Sequence, residues 1–584
     1  MTTKYDGLFS NDLPYYTSNV KAETRIRKVD LVNKPITIPD LLKKTLINLK
    51  DEKDTVNALA HQKKIGSIWK FISYQQYYLQ IRQFSNALIE IGIKEADAVS
   101  IIGFNSIYWH ISYMGAIHAG AIAVGLYPTN SEEITMHCIK LSNTRVIVID
   151  DLKYLEKLQK IKESSHDFSI VFCGNDLGSI ENCKNVYTWN EFIKLSHNQD
   201  EILDERISNL RPNKCASLVF TSGTTGFPKA VMLSHDNMIW TASQFYNEIG
   251  EECDREKLIS YLPLSHVAAQ MLDIIFPIVK SCTVYFAQPT SLKGTLVNTL
   301  NEVKPTLFLG VPRVFEKIYE KMKESGAHNS TIKSWIVNYA KYVANDYYTT
   351  KMEKSDYSKG MVFGLVNKIV YNKAKYALGL DKCKYIFYGA APISFNTIDF
   401  FMSVGLLLHG VYGLSECSGP HSVMKSGQFH NRTVGVPMKW TETRIGKEDE
   451  LEISGRHIFI GYKDNDEVND SVFSENFFKT GDQAKYVKYP NSKDHIQIIG
   501  RLKEMVITSG GENVPVVEIE NRLKKYIPIV SNAIIIGDNR KFISALLTIK
   551  TNVNLETMEP LPELTDSAIA WCQSIGSDSK TIGL

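Results

Sequence analysis

Ala216-Ser-Leu-Val-Phe220 runs straight into Thr221-Ser-Gly-Thr-Thr-Gly226-Phe-Pro-Lys229. An apolar β-run empties there into a loop of small hydroxylated residues and glycine. In such a loop backbone N–H groups can converge and hydroxyls can donate to phosphate oxygens. By composition it is a phosphate cradle, and Lys229 adds a point charge suited to a polyphosphate. The order is not G-x-x-x-x-G-K-[ST], so the common P-loop reading fails. A flexible Ser/Thr/Gly turn is the plainer reading of any single loop of this kind. Six such residues running to a Pro-Lys weigh against it here.

Outward from the loop, amphipathic helical segments such as Tyr78 to Ile91 alternate with short β-branched runs such as Ala98 to Phe104, Arg145 to Asp150 and Ser169 to Cys173. That rhythm predicts an α/β sheet protein. Ile111 to Tyr127 is the most apolar helical stretch, but it holds His118 and two glycines. It falls short of the ~20 residues a membrane span needs and reads as a buried helix and strand. The first ~35 residues carry little periodic pattern and read as a leader wrapping the surface rather than a domain. Met1 to Leu13 is polar, without the apolar core of a secretory signal.

The chain has 584 residues, with 66 Lys and Arg against 64 Asp and Glu, a net charge of +2. No global field favours nucleic acid or an anionic surface, so any electrostatic attraction must be local. Nine cysteines are scattered without a C-x-x-C pair, which argues against a zinc site or a disulfide scaffold and predicts a reducing, cytoplasmic setting.

Three further motifs are weak alone. Tyr412-Gly-Leu-Ser-Glu416 follows the apolar run Val404 to Leu408, and a strand end that delivers a Glu beside a Gly turn can hold Mg²⁺ against phosphate oxygens. Thr480-Gly-Asp482 places a short acid on a Gly turn, where it can accept hydrogen bonds from a ribose diol. Gly500-Arg-Leu-Lys-Glu504 leads into Met505-Val-Ile-Thr-Ser-Gly-Gly511-Glu-Asn-Val-Pro515 and Glu518-Ile-Glu520.

Taken in order with Tyr261-Leu-Pro-Leu-Ser-His266 and Tyr388-Gly-Ala-Ala-Pro392, these pieces resemble the adenylate-forming superfamily of acyl-CoA synthetases, luciferases and adenylation domains. Tyr412-Gly-Leu-Ser-Glu-Cys-Ser-Gly-Pro-His421 and Ile507-Thr-Ser-Gly-Gly-Glu-Asn-Val-Pro515 are similar to the bubblegum-type long-chain fatty acyl-CoA synthetases. The resemblance covers about residues 60 to 575. It implies an α/β fold with a large N-terminal domain of mixed sheets and helices, residues 1–499, and a small, incomplete α+β C-terminal lid, residues 500–584. The hinge would fall at Gly500, where many members carry an acid.

The same resemblance implies ATP- and CoA-dependent activation of a long-chain fatty acid through an acyl-adenylate. Thr221, Ser222, Gly223, Thr224, Thr225, Gly226 and Lys229 would grip the β- and γ-phosphates, and Glu416 would hold Mg²⁺. Lys229, Glu416 and Thr224 would be the groups closest to the chemistry. Gly389, Ala390, Ala391, Pro392, Tyr412, Gly413 and Ser415 would meet the adenine side, and Asp482 and Arg501 the ribose hydroxyls. His266 would line the carboxylate end of the acyl pocket, with Gln270 near its entrance and Gly410, Gly510 and Gly511 on the acyl and CoA path. Outside that context a core histidine is the better reading of His266.

One departure qualifies the resemblance. After Gly511 there is no Gly-Lys dipeptide, so the lid lysine that reaches the α-phosphate is missing from its expected place; weakened adenylation is the expectation, with CoA attack less affected. A non-catalytic binder of nucleotide or acyl-adenylate is the alternative. An amino-acid-adenylating ligase would carry an acid near Leu264 to Gln270, and none appears before Asp273. Independently of any family, residues 313–384 hold 14 Lys and Arg against 7 Asp and Glu, a local balance of +7. Trp335, Tyr339 and Tyr342 form a helical aromatic stripe in that stretch. Helix amphipathicity favours a core-facing stripe with a solvated basic back. The competing reading is peripheral docking on the anionic cytosolic face of an internal membrane. No nucleic-acid partner is expected, and the sequence is silent on oligomeric state.

Overall fold

Six apolar runs pair side by side in one parallel arrangement, in the order Val186–Thr188, Ser169–Phe172, Thr144–Ile149, Ala98–Ile102, Ile122–Leu126 and Cys215–Thr221. The seventh strand, Lys229–Ser234, closes the sheet antiparallel to Cys215–Thr221. The computed structural model describes residues 7–27, 33–165, 167–174, 185–197, 199–221, 226–250, 255–327, 330–353, 360–425, 427–489, 493–502, 505–507, 513–527, 529–537, 540, 542–553 and 560–576. Its central strands are buried on both faces, as parallel strands covered by helices must be.

The helices carry their own start signals. Ser73 and Gln76 form a reciprocal capping box at the head of Tyr74–Glu90, and Ser234 and Asn237 do the same for His235–Ile249. Ile107–His118 is buried on nearly every side and is followed by the strand Ile122–Leu126, so the most apolar stretch is a core helix and strand. Among the described residues no helix is long and apolar enough to cross a membrane.

A second sheet runs Leu307–Gly310, Tyr385–Tyr388, Leu408–Leu414, Gly419–Val423 and Val436–Pro437, parallel across its first three strands and antiparallel thereafter. The strand begins at Leu408, at the end of the apolar run Val404 to Leu408, so Tyr412 lies inside it. A third sheet runs Lys257–Ser260, Thr283–Phe286, Asn57–His61 and Lys70–Ser73.

The chain divides into two compact units. The first comprises Met1–Thr443, Ile453–Lys479 and Val487–Ile496; the second comprises Arg444–Glu452, Thr480–Tyr486 and Gln497–Leu584. In the second unit the helix Val516–Tyr526 precedes the hairpin Val530–Ile536 and Ser544–Ile549, and a small core of Ile529, Val530, Ala533, Leu564, Ala568 and Cys572 sits beneath them.

Residues 7–27 are mostly exposed or half-buried, anchored where Leu8, Thr24, Ile26 and Arg27 are buried and Ile26 N–H donates to Leu8 O at 2.9 Å. Gly500 lies inside the strand His495–Arg501 without a left-handed φ, and a Cβ there would meet nothing within 4 Å. The aromatic stripe does not face the core. Ala340, Ala344 and Tyr347 are the buried side of Thr331–Glu353, and Trp335, Tyr339 and Tyr342 stand in solvent. The packed face is the one that carries Ala340, Ala344 and Tyr347, whose ring meets Phe363 at 4.1 Å, and the stripe lies off it.

Candidate active site

Strand pairing places both ends of the quoted loop. In the hairpin of the first sheet Phe220 faces Ala230 and Thr221 faces Lys229, so the two residues that bracket the loop are cross-strand neighbours. Ser222, Gly223, Thr224 and Thr225 lie outside the described residues. The exit is clamped from the side by a residue the sequence reading missed. His137 Nε2 donates to Pro228 O at 3.0 Å, and its ring stacks on Phe227 at 4.7 Å. A carbonyl only accepts, so His137 carries its proton on Nε2.

Glu416 arrives from the second sheet, on the 3-10 turn Ser415–Cys417 that follows the strand Leu408–Leu414. Gly410, Tyr412 and Gly413 are on that strand, and Ser415 opens the turn. One short segment, 459–463, ties this turn to the phosphate hairpin. Phe459 N–H donates to Glu416 O at 2.8 Å, Ile460 N–H to Met232 O at 3.0 Å, and Lys463 N–H to Ala230 O at 3.0 Å. Tyr462, on the same segment, gives its phenolic hydrogen to Glu416 Oε1 at 2.7 Å. Its ring lies 5.2 Å from Lys229 Nζ, a cation–π distance. Burial and the Glu416 carboxylate push the phenol well above its ordinary pKa, so it stays a donor. Lys229 and Glu416, far apart in sequence, thus meet across one tyrosine.

The leader holds this segment from behind. Thr17 N–H donates to Ile460 O at 2.8 Å, and Arg27 Nη1 donates to Ile458 O at 3.3 Å. Burial lowers the Arg27 guanidinium to about 10. A Cβ on Gly461, whose φ is +126°, would lie 2.2 Å from Thr17 O. Only glycine lets the two chains approach so closely.

The stretch expected to face adenine leaves the strand Tyr385–Tyr388 as an open loop. Ala390, Ala391 and Pro392 are exposed, and Ala390 sits in the left-handed region at φ 68°. A Cβ on Gly389 would fall 2.8 Å from Val411 O. His266 caps the turn Val267–Ala269: its Nδ1 accepts from Ala268 N–H at 3.2 Å, and burial holds the imidazole below its ordinary pKa. The neutral ring therefore carries its proton on Nε2. Gln270, expected beside an entrance, is fully buried at the start of the π-helical turn Gln270–Ile275. Its Nε2 donates to Leu264 O at 2.9 Å and its Oε1 accepts from Tyr113 at 3.2 Å. It braces the Leu264–His266 loop. A cavity of about 260 Å³ lies elsewhere in this unit, with Lys351, Lys375 and Lys384 in its wall, and none of the expected site residues lines it.

In the second unit the two residues expected at ribose pair with each other. Arg501 Nε donates to Asp482 Oδ1 at 3.1 Å, with the arginine exposed and the aspartate buried. Thr480 Oγ1 receives the Asp482 N–H at 3.0 Å and donates to Leu451 O at 2.7 Å, which fixes the turn. Gly510 and Gly511 lie outside the described residues. Among the described residues no three His, Cys, Asp or Glu side chains cluster as a metal cage. A lone carboxylate suits Mg²⁺, which is commonly held by one or two carboxylates with substrate phosphates and water completing its shell.

A parallel α/β sheet ending in a hairpin that brackets a Ser/Thr/Gly loop, with a carboxylate brought to its lysine, defines a nucleotide-binding enzyme fold. The chain belongs to the AMP-binding enzyme family, whose model matches residues 52–462. Long-chain-fatty-acid–CoA ligase ACSBG2 of Xenopus laevis is 40% identical over 591 residues, spanning 99% of this chain and 78% of its own length. Long-chain-fatty-acid–CoA ligase ACSBG1 of Rattus norvegicus is 38% identical over 580 residues, spanning 97% of this chain and 78% of its own. The crystal structure of the anthranilate CoA ligase AuaEII in complex with anthranoyl-AMP shares the fold, with a TM-score of 0.64 at 17% identity over 96% of this chain and 91% of that one.

Proposed function

We propose that this chain activates long-chain fatty acids to acyl-CoA through an acyl-adenylate, using ATP, Mg²⁺ and CoA. The observation that carries the reading is the meeting of Lys229, Tyr462 and Glu416 at the phosphate hairpin, in a chain so similar to long-chain fatty acid ligases over nearly its whole length.

In the first step a carboxylate oxygen attacks the α-phosphorus of ATP and pyrophosphate leaves. In the second the CoA sulfur attacks the acyl carbonyl, AMP leaves and the thiol proton goes to solvent or base. Neither step needs a protein nucleophile, so alignment and charge stabilisation are the protein's contribution. Residues 221–226 and Lys229 hold the β- and γ-phosphates. Glu416, oriented by Tyr462, would hold Mg²⁺, which would supply positive charge to the phosphate oxygens. Gly389 to Pro392, Tyr412, Gly413 and Ser415 take the base, and Asp482 with Arg501 takes the ribose. His266, its loop fixed by Gln270, offers its Nε2–H to the acyl carboxylate, and Gly410, Gly510 and Gly511 serve the acyl and CoA groups. We place the enzyme in the cytoplasm, peripherally attached to an internal membrane.

The test is a split assay with fatty acids of graded length: pyrophosphate release in one arm, thioester formation from synthetic acyl-adenylate in the other. Activity in both arms that rises with chain length supports the reading. Pyrophosphate release with amino acids but with no fatty acid would overturn it.

A further inference from the structure

The helices Thr331–Glu353 and Met361–Val366, the latter continuing through Asn367–Tyr371 to Asn372–Ala377, pack as a pair. Tyr347 meets Phe363 at 4.1 Å between ring centroids, and Tyr371 Oη donates to Ala340 O at 2.5 Å. Ala340, Ala344, Phe363, Val366 and Tyr371 fill the seam. That seam accounts for one apolar face of each helix. Each has a second one.

On the first helix Ile332, Trp335, Ile336 and Tyr339 recur at helical spacing in solvent; Trp335 is 69% exposed and its ring stacks on Tyr339 at 5.8 Å. On the second, Met361, Val362, Leu365 and Ile369 do the same, with Met361 94% and Leu365 60% exposed. Single exposed apolar residues are ordinary, but two such runs on one helix pair mark an interaction surface. Charge identifies the occupant. Thr331–Glu353 and residues 361–377 carry six lysines against two acids, Asp346 and Glu353, a balance of +4, and Lys333, Lys368 and Lys373 are exposed beside the apolar runs. Apolar and aromatic side chains that enter the headgroup region, edged by lysines that stay with anionic lipid, are the makeup of an interfacial helix.

We propose that this helix pair docks on an anionic bilayer, with Trp335, Ile336, Met361 and Leu365 entering the interface and Lys333, Lys368 and Lys373 meeting lipid headgroups. The inference rests on the reading of the substrate as a long-chain fatty acid, which partitions into the same bilayer; docking brings the enzyme to its substrate.

The experiment uses the full chain and vesicles of phosphatidylcholine with and without phosphatidylserine. Co-sedimentation should require phosphatidylserine and fall with added salt. The double variant Trp335→Ser/Leu365→Ser should bind at least about tenfold more weakly, as should Lys333→Glu/Lys368→Glu/Lys373→Glu. Thioester formation from albumin-delivered fatty acid should be unchanged in both variants, and formation from vesicle-embedded fatty acid should drop. Equal binding by wild type and variants, or no binding by wild type, overturns the docking surface. So does a dimer in sedimentation velocity that the serine variant abolishes, since a second copy would then cover the patch. Albumin-delivered fatty acid left unconverted by wild type would instead count against the proposed activity, separately from the docking result.

Discussion

Tyr462 donates to Glu416 Oε1 at 2.7 Å, although 46 residues separate them in the chain. A charge-assisted hydrogen bond of this kind contributes about 1.5–3 kcal/mol. Tyr462→Phe should therefore leave the fold intact and reduce ATP–pyrophosphate exchange by roughly 10- to 100-fold. The loss should be partly recovered by raising Mg²⁺, because the variant carboxylate is present but less well aimed. An exchange rate equal to wild type at low Mg²⁺ would show that the tyrosine does not orient this carboxylate.

Gly461 lets the leader and the Tyr462 segment touch. Gly461→Ala would push a methyl group to 2.2 Å from Thr17 O, at a φ of +126° that alanine resists. We expect a loss of ~2 kcal/mol or more in urea unfolding and faster proteolysis of the leader. Activity should fall with it, because the leader and Glu416 both bond to the same stretch, residues 458–462. An unchanged cleavage pattern would contradict this coupling.

Arg456 and Asp236 form a buried pair, with Nε to Oδ2 at 3.0 Å and Nη2 to Oδ1 at 2.5 Å; a further nitrogen donates to Asn33 O at 2.6 Å. Asp236→Ala strands the guanidinium and should cost about 3–5 kcal/mol. Replacing both members, Asp236→Leu with Arg456→Met, should cost less than the single change. Denaturant midpoints of the three variants decide this.

Asp273 is buried on the π-helical turn near Tyr261, and burial pushes its carboxyl up to about 8. A raised carboxyl pKa means that the folded state holds its proton while the unfolded state has lost it. Between about pH 4 and 8 this group makes stability fall as pH rises. Asp273→Asn should flatten that part of the profile and raise stability at pH 8 relative to pH 5. Parallel wild-type and variant curves would show that the carboxyl titrates normally.

The phosphate loop was legible because a strand, a run of small hydroxylated residues and a lysine are contiguous. Glu416 and Asp482 were legible only through the order of several motifs. Tyr462 and His137 were not, since a lone Tyr after Ile-Gly and a lone His on a helix carry no local pattern; each acquires its partner from another part of the chain. Gln270 was placed near the acyl path by spacing, but its amide is consumed by Leu264 and Tyr113. Spacing says which residues are neighbours along a turn, not which way a side chain finds its hydrogen bonds.

The sequence alone determined the alternation of helices and buried strands, the loop that separates Thr221 from Lys229, and the local excess of lysine in residues 313–384. Those are properties of contiguous residues, governed by period and by charge. Only the tertiary structure decided that Lys229 and Glu416 share a tyrosine, that the leader braces them, and that Trp335 faces water. The physical reason is competition. Each apolar face and each donor has several possible partners, and close packing of the whole chain selects among them.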